Sequence, residues 1–336
     1  MKISVVMPVF NEAELVTEAI ECVLYQTEKD WECIVVNDGS TDQTGALLEQ
    51  LAAKDRRIRV IHTPHQGIVA SLNLGLAQSN GEYLARMDAD DLCHAERLEQ
   101  QAAYLDEHAD IGLVSCLTRY GGDALEFQGL AHYVDWTNEQ ITPNHHFSNR
   151  FIESPIIHPT VMFRRAVWQQ HGGYEWGNFP EDYQLWLRWM GAGVAMTKIP
   201  RTLFTWRERE GRLTRTDPRL STRAFFNCKS LYLARWLAEN NEHHPEILVW
   251  GAGKMARKRL ASLRDLGIGI AGFIDVDPQK IGKTLDGVPV ISYEKLPQPN
   301  NCFILSFVGN RGARARIEEH LLARGFVKGK HYICGA

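Results

Sequence analysis

An apolar, strand-like run stops at three carboxylates in the stretch Tyr83-Leu84-Ala85-Arg86-Met87-Asp88-Ala89-Asp90-Asp91. In an open α/β sheet, ligands bind outside the carboxyl ends of the strands. Asp88 and Asp90 are separated by one residue and can reach one hard cation, since Mg²⁺ or Mn²⁺ is commonly held by a few carboxylates together with substrate phosphates. The stretch therefore predicts a divalent-metal site, with an acidic turn that caps the next helix as the alternative.

Strand and helix patterns alternate on both sides of this stretch. A continuous apolar run predicts a strand at residues 3–7, and apolar-rich runs predict further strands at residues 31–36, 58–61 and 112–120. Such runs are typical of strands buried on both faces of a sheet. Apolar residues at helical spacing lie between these runs. This alternation predicts an α/β fold with a doubly wound, mostly parallel sheet.

Composition narrows the class of protein. The 336 residues are enough for two domains of ordinary size, and a net charge of −4 gives no general attraction to nucleic acid. Seven scattered cysteines contain no C-x-x-C pair, so neither a disulfide framework nor a zinc site is predicted, and a reducing cytoplasm fits best. The sequence shows neither a signal peptide nor an apolar run long enough to span a membrane.

Four predicted strand ends, at residues 8–12, 38–42, 65–67 and 88–91, should gather along one edge of the sheet and form a nucleotide-sized cleft. Asp38 stands where a carboxylate could accept a hydrogen bond from a base N–H. Turn formation and helix capping are the alternative for this residue. Gln66, Gly67 and Asn73 are weaker candidates, because a polar residue before a helix is commonly a cap.

Three ordered motifs resemble the family 2 glycosyltransferases with the GT-A fold. They are Val6-Met7-Pro8-Val9-Phe10-Asn11-Glu12, Val36-Asn37-Asp38-Gly39-Ser40-Thr41-Asp42 and Met87-Asp88-Ala89-Asp90-Asp91, within a resemblance that covers roughly the first two-thirds of the chain. The resemblance implies a nucleotide-sugar donor, expected to be a UDP-sugar, whose base is read by Asp38. It also implies that the nucleoside packs on Pro8, Phe10, Asn11 and Glu12, and that Asp88 and Asp90 serve the ribose and the Mn²⁺ or Mg²⁺ ion.

The sequence departs from this family at two places. Leu72 stands where members often carry an arginine before the residue matching Asn73, which leaves Arg86 as a nearby cation for the diphosphate. A histidine that many members carry near the end of the domain is missing from the charged run at residues 207–212. Either Glu208 completes the metal coordination, or Arg207, Arg209 and Arg212 neutralise the diphosphate, with a charged surface loop as the alternative.

A fourth motif, Pro180-Glu181-Asp182-Tyr183-Gln184-Leu185-Trp186, opens a predicted helix. A proline and two acids at a helix start are favoured by capping and by the helix dipole. The functional alternative is a general base, because an acceptor hydroxyl must lose its proton as it attacks the sugar. The resemblance selects Asp182 for this role.

Other segments of the first predicted domain, residues 1–220, carry less specific signals. Residues 121–150 read as a polar, irregular loop and are a candidate for acceptor recognition. Strands are predicted at residues 157–165, with His158 and Thr160 facing the cleft, and at residues 199–207. A helical linker is predicted at residues 221–245, and its apolar stripe is either core or a surface for peripheral membrane contact.

A second βαβ pattern is predicted within residues 246–336. It carries G-x-G-x-x-A at Gly251, Gly253 and Ala256, and Asp275 follows near the ~20 positions expected of a ribose-binding acid. The pattern predicts a small Rossmann-like domain with a possible dinucleotide cofactor. The tail also resembles the small Rossmann-like domain beside some sugar acyltransferases, methyltransferases and glycosyltransferases, and a structural or partner-binding use is favoured over redox chemistry.

The leading hypothesis is a metal-dependent, inverting glycosyltransferase that transfers a sugar to a hydroxyl of a saccharide or lipid-linked saccharide. Such a protein would act in surface polysaccharide or glycolipid assembly, in the cytoplasm or at the inner face of the membrane. The alternatives are an NAD(P)-dependent oxidoreductase or epimerase built on the C-terminal domain, and a non-catalytic nucleotide-sugar sensor.

Overall fold

The computed structural model describes residues 1–208, 217–310 and 312–336, so Arg209 and Arg212 lie outside the described residues. The chain forms two compact units. The first comprises Met1–His146, Pro155–Gly177 and Glu181–Thr216, and the second comprises Phe147–Ser154, Asn178–Pro180 and Asp217–Ala336.

The first unit is organised around one sheet. Its strands are β1 Ile3–Val9, β2 Trp31–Asp38, β3 Ile58–Thr63, β4 Tyr83–Arg86, β5 Leu92–Cys93, β6 Ile111–Tyr120, β7 Met162–Arg164 and β8 Ala195–Trp206. The strand order is β3-β2-β1-β4-β7-β6-β8-β5. Strands β1 to β4 pair in parallel, as do β6 and β8, whereas β7 and β5 run antiparallel to their neighbours. The predicted α/β fold with a mostly parallel sheet is confirmed.

Helices cover both faces of this sheet. They are α1 Val16–Leu24, α2 Thr44–Lys54, α3 Ile68–Gln78, α4 Arg97–Glu107, α5 Gln128–Glu139, α6 Pro143–Asn149, α7 Arg165–His171 and α8 Glu181–Gly191. Val5 joins one buried apolar cluster and its neighbour Val6 joins another. Successive side chains of a strand point to opposite faces, so a strand covered on both sides must be apolar throughout.

Several local predictions for this unit were wrong. Residues 121–150 were predicted to be a polar, irregular loop, but they contain α5 and α6, and Val134 and Thr137 of α5 are buried. Only Met162–Arg164 of the strand predicted at 157–165 forms, because His158–Thr160 makes one turn of 3₁₀ helix. Strand β5 was not predicted, and β8 begins four residues before the predicted start at residue 199.

The second unit holds a smaller sheet. Its strands are β9 Glu246–Trp250, β10 Gly269–Asp275, β11 Thr284–Leu285, β12 Val288–Ser292, β13 Ile304–Ser306 and β14 Tyr332–Cys334, in the order β11-β12-β10-β9-β13-β14. All neighbours pair in parallel except β11 with β12. Its helices are α9 Thr222–Asn240, α10 Lys254–Arg259, α11 Ala261–Asp265 and α12 Ala313–Ala323.

Helix α9 contains the predicted apolar stripe, for which the sequence allowed either a place in the core or contact with a membrane. Leu233, Trp236 and Leu237 are buried, and Lys229 is buried beside them. Packing within the protein therefore accounts for much of the stripe. None of the helices in the described ranges is long and apolar enough to cross a membrane.

Candidate active site

The ends of β2 and β3 are joined through Asp38. Its Oδ1 accepts a hydrogen bond from the amide of Gln66 and its Oδ2 accepts one from the amide of Gly67, both at 2.8 Å. His65 Nδ1 lies 3.0 Å from Oδ2. Asp38 is buried, so its carboxylate holds the loop that leads into α3. Asp38 thus shapes the chain at the ends of two strands, as the structural alternative for this residue predicts. Its contact with a base stays a prediction.

The ends of β1 and β2 are also linked. Asn11, which has a positive φ of 53°, accepts a hydrogen bond from the Thr41 amide at 2.8 Å through its Oδ1. Its own amide donates to Ser40 Oγ at 2.9 Å, and the Glu12 amide donates to Thr44 Oγ1 at 2.8 Å. The first two motifs therefore form one hydrogen-bonded ledge at the carboxyl ends of these strands.

Aromatic rings lie beside this ledge. Phe10, which follows the buried strand core and the half-buried Pro8, is exposed, and its ring centroid lies 4.2 Å from that of His65. A Cβ added to Gly67 would come within 3.6 Å of the exposed Trp176, and Gly67 has a φ of 89° that favours glycine. No sequence motif pointed to Trp176, which lies between Gly173 and α8.

Asn73 fastens a second loop to α3. Its Nδ2 donates to the Tyr174 carbonyl at 2.9 Å, and its Oδ1 accepts from the Tyr174 amide at 3.0 Å. The side chain thus holds the segment that leads toward α8, and its predicted contact with the donor stays untested. Leu72 is fully buried in an apolar cluster, so this position offers no cation to a diphosphate.

Three carboxylates come together at the end of β4. Oxygen atoms of Asp88, Asp90 and Asp91 all lie within 4.8 Å of one another, with Asp88 half-buried and the other two buried. Arg86 is buried and forms an ion pair with Asp88 through Nη1. Burial alone would lower the pKa of the Arg86 guanidinium, but the charge of Asp88 raises it. Arg86 therefore contacts a candidate metal ligand directly.

The third carboxylate of the cluster is Asp91. The sequence left two alternatives at the distal motif, Glu208 as a metal ligand or arginines on the diphosphate, and Glu208 is not part of the cluster found among the described residues. Asp91 Oδ1 accepts a hydrogen bond from the Arg207 amide at 2.9 Å, and Arg207 Nε donates to the Asp90 carbonyl. Arg207 also pairs with Glu18 at 2.6 Å, while Tyr120 donates to Glu208 at 3.4 Å. Arg207 thus holds the turn at Asp90 and Asp91 in place through two hydrogen bonds.

Asp182 lies in the first turn of α8, where its Oδ1 accepts a hydrogen bond from the Tyr183 amide at 2.7 Å. Burial raises the pKa of Asp182 to about 6, and the negative charge of Asp88 adds to this rise. The Tyr183 amide and the positive charge of Arg86 act in the opposite direction. The fourth motif and the acidic end of β4 are therefore close enough to influence each other electrostatically.

A buried pair that the sequence did not predict lies in the same region. His158 Nε2 lies 2.7 Å from the Tyr174 hydroxyl, and burial together with the charge of Arg86 lowers the pKa of His158 well below its usual value. The expectation that Thr160 faces the cleft was wrong, because Thr160 is fully buried and bonds to Ser115 Oγ at 2.5 Å. A neutral His158 can accept a hydrogen bond from the Tyr174 hydroxyl and keep Tyr174 in place.

The glycine motif of the second unit lies between β9 and α10. A Cβ on Gly251 would meet Val308 Cγ2 at 3.0 Å, whereas nothing lies within 4 Å of a Cβ on Gly253, and Ala256 lies inside α10. Asp275 Oδ2 accepts from the Ala252 amide at 3.1 Å and from Lys280 Nζ at 3.1 Å, and its Oδ1 accepts from the Asp277 amide at 2.9 Å. Both oxygens of Asp275 therefore have donors within the chain, and its contact with a ribose stays a prediction.

Two family models match parts of this chain. The model of the family "Glycosyl transferase family 2" matches residues 4–172, and that of "C2185-like, N-terminal" matches residues 243–330. The putative glycosyltransferase EpsE of Bacillus subtilis is 32% identical over 213 residues, which cover 62% of this chain and 73% of EpsE. An uncharacterised glycosyltransferase of Rickettsia felis is 32% identical over 186 residues, but these cover 55% of this chain and only 30% of that protein.

Solved structures share the fold. A crystal structure of S. aureus TarS residues 1–349 with UDP-GlcNAc has a TM-score of 0.57 and 20% identity, covering 80% of this chain and 74% of that one. The mannosyltransferase PcManGT of Pyrobaculum calidifontis, in complex with GDP-Man and Mn²⁺, has a TM-score of 0.50 and 19% identity, covering 71% and 63%. These likenesses concern the fold alone. Because the first family model spans half of the chain and EpsE is matched over most of its length, the chain belongs to glycosyl transferase family 2.

Proposed function

We propose that this chain is a metal-dependent, inverting glycosyltransferase that transfers a sugar from a UDP-sugar to an acceptor hydroxyl. The observation that carries the proposal is the carboxylate cluster of Asp88, Asp90 and Asp91, with Asp182 close enough for Asp88 to raise its pKa. A cation site and a candidate base thus lie in one region, as a displacement at the anomeric carbon requires.

The carboxylate cluster fits a hard divalent cation. Three oxygen donors within 4.8 Å of one another suit Mg²⁺ or Mn²⁺, with water and phosphate oxygens completing the shell. Asp88 and Asp90 would hold the ion, and Asp91 takes the place first considered for Glu208. A bound cation there would supply positive charge next to the departing diphosphate. The Mn²⁺ in the PcManGT complex is consistent with this choice of metal.

Asp182 is proposed as the base. With a pKa of about 6 it is ionised at neutral pH, yet basic enough to accept a proton from a hydroxyl. It would take the proton of the acceptor as the acceptor oxygen attacks the face of the sugar opposite the diphosphate. A single displacement of this kind inverts the anomeric centre.

The nucleotide is proposed to lie against Phe10, Asn11 and Glu12 at the end of β1 and against Asp38 at the end of β2. UDP is chosen because TarS, which shares the fold, was crystallised with UDP-GlcNAc, and the GDP-Man of PcManGT makes a guanine nucleotide the competing choice. Incubation with a panel of UDP- and GDP-sugars and Mn²⁺, with an assay for released nucleotide, decides between them. Binding without release for every donor would favour a nucleotide-sugar sensor instead.

The metal role of Asp90 has its own test. Asp90→Ala should abolish the dependence of UDP affinity on Mn²⁺, as measured by calorimetry, because it removes a buried carboxylate of the cluster. Asp110→Ala is the matched control, since Asp110 is an exposed acid before β6. Equal metal-linked affinity in Asp90→Ala and wild type would remove Asp90 as a ligand.

The acceptor is proposed to be a saccharide or a lipid-linked saccharide, met in the cytoplasm or at the inner face of the membrane. On α9, Leu231 is exposed and Phe225 and Phe226 are half-buried, so these residues are the candidates for membrane contact. Flotation with liposomes, with and without anionic lipid, tests this part. Protein that stays wholly in the aqueous fraction would argue against peripheral contact.

We also propose a division into a glycosyltransferase domain at residues 1–220, a helical linker at 221–245 and a Rossmann-like domain at 246–336. The parallel order β12-β10-β9-β13-β14 supports the last of these, since it follows the 3-2-1-4-5 order of nucleotide-binding doubly wound sheets. The internal bonds of Asp275 favour structural or partner-binding use over redox chemistry. NAD(P) titration followed by fluorescence tests this choice, and tight NAD(P) binding would contradict it.

A further inference from the structure

Cys22 in α1 and Cys93 in β5 lie side by side, with their sulfur atoms 3.2 Å apart. The Cys93 amide donates to Cys22 Sγ at 3.3 Å. Gln26 holds both residues, because its Nε2 lies 3.3 Å from Cys93 Sγ and 3.0 Å from the Cys22 carbonyl. A disulfide is about 2.05 Å long, so an approach of roughly 1 Å would be enough to form one.

Exposure separates this pair from the other cysteines. All seven cysteines lie in the described part of the chain, and five are buried: Cys33, Cys116, Cys228, Cys302 and Cys334. Cys22 and Cys93 are partly exposed. The two cysteines that are not fully buried are therefore the two whose sulfur atoms lie next to each other. Their 71-residue separation in sequence hid this pairing.

We propose that Cys22 and Cys93 form a site of reversible oxidation, at which a low-molecular-weight disulfide such as oxidised glutathione converts the two thiols into an intramolecular disulfide. One cysteine sulfur attacks the small disulfide, breaks its S–S bond, and releases one glutathione thiol. The second cysteine attacks the mixed disulfide and releases the other. The two electrons and the two cysteine protons end on two molecules of reduced glutathione.

The bond would join two segments that carry site residues. Strand β5 begins at the residue after Asp91, and α1 follows the loop of Asn11 and Glu12. The proposal itself stands on the two sulfurs and does not depend on the proposed transferase activity. It is therefore tested by chemistry on the cysteines rather than by turnover.

Reduced protein is treated with oxidised glutathione and its intact mass is measured without reductant. Wild type should lose the mass of two hydrogens, a non-reducing peptide map should link the Cys22 and Cys93 peptides, and dithiothreitol should reverse both changes. Cys22→Ser and Cys93→Ser should each gain one glutathione instead. Cys302→Ser, at a buried cysteine of the second unit, should form the link as wild type does.

Labelling of the native, folded protein with a thiol reagent gives an independent measurement. Two thiols should react rapidly in reduced wild type and none should react rapidly after oxidation. A stable glutathione adduct on wild type, a link between other cysteines, or no reaction at all would each overturn the proposal. Each serine variant tests the proposal by itself, so the other variant can still be used if one of them does not fold.

Discussion

At the scale of single residues, Asp182 meets two conflicting demands. As the proposed base it must be ionised to accept a proton, yet burial at the start of α8 disfavours its charge. A positive charge on Arg86 and the amide of Tyr183 limit that cost and leave a pKa of about 6. Residues of this kind, with a strongly shifted pKa next to charged partners, concentrate at functional sites.

Asp182→Asn tests the role of this carboxylate. Turnover should fall by ~10²- to 10⁴-fold, because an amide cannot accept the proton, while UDP affinity should stay nearly unchanged. The variant should be at least as stable as wild type to urea, since it removes a charge that burial disfavours. Glu181→Gln, at the preceding acid, is the matched control. Unchanged turnover in Asp182→Asn would remove this residue from the role of base.

The pH dependence of turnover should report the same group. Asp182 is protonated below its pKa of about 6, so kcat should fall about tenfold per pH unit below that value and reach a plateau above it. Initial rates at saturating donor and Mn²⁺, between about pH 4.5 and 8, measure the profile. A flat profile through pH 6 would contradict the assignment.

At the scale of elements, the loops at the carboxyl edge of the sheet are held by side chains from neighbouring elements. Asp38 at the end of β2 holds the loop after β3, and Asn73 on α3 holds the loop before α8. Arg207 at the end of β8 fixes the turn after β4. Candidate binding residues thus shape the site through the backbone. Their loss should change affinity and stability together.

Asp38→Asn tests this coupling. The amide keeps one acceptor oxygen where two backbone N–H groups need partners, which should cost ~1–3 kcal/mol of unfolding free energy. UDP affinity should fall by about tenfold, or ~1.4 kcal/mol, because the loop at Gln66 and Gly67 is released. Urea denaturation and calorimetry measure the two effects.

Asp55→Asn provides the comparison. Asp55 accepts hydrogen bonds from the amide and the guanidinium of Arg57, before the opposite end of β3. Its loss should lower stability without changing UDP affinity. If Asp38→Asn lowered stability and left UDP affinity intact, Asp38 would be a structural residue only.

At the scale of the whole molecule, each unit buries one lysine. Lys198 in the first unit donates to the Thr137 and Pro155 carbonyls, and Lys229 in the second donates to the Ile152 carbonyl at 3.0 Å. Burial lowers the pKa of each lysine to about 7, whereas an unfolded chain holds the proton to about 10.5. Between these values the unfolded chain binds more protons, so stability rises with pH.

Thermal denaturation between about pH 7 and 8.5 should therefore show a rising melting temperature. Each lysine should contribute ~1–2 kcal/mol over this range. Lys198→Met and Lys229→Met should each flatten the rise, and Lys54→Met, at an exposed lysine, should not. Equal pH dependence in all three variants and wild type would show that neither buried lysine carries the effect.

The sequence by itself determined the kind of fold and the order of its motifs. Buried strands such as β1 need apolar residues on both faces, and this requirement is local enough to read from consecutive residues. The carboxylates of Asp88 and Asp90 could be read for the same reason, because two residues so close in sequence share one strand end. The family resemblance selected Asp182 as the candidate base, but the sequence did not show which residues surround it.

Tertiary structure decided what depends on residues far apart in the chain. It placed the amide of Arg207 on Asp91, bonded Asp38 to amides 28 and 29 residues away, and placed Cys22 against Cys93. It also made a helix of residues 128–139, within the segment predicted to be a loop, and shifted the pKa of Asp182. Desolvation, charge pairing and cross-strand hydrogen bonds arise from packing between distant segments, and local sequence patterns do not encode which segments meet.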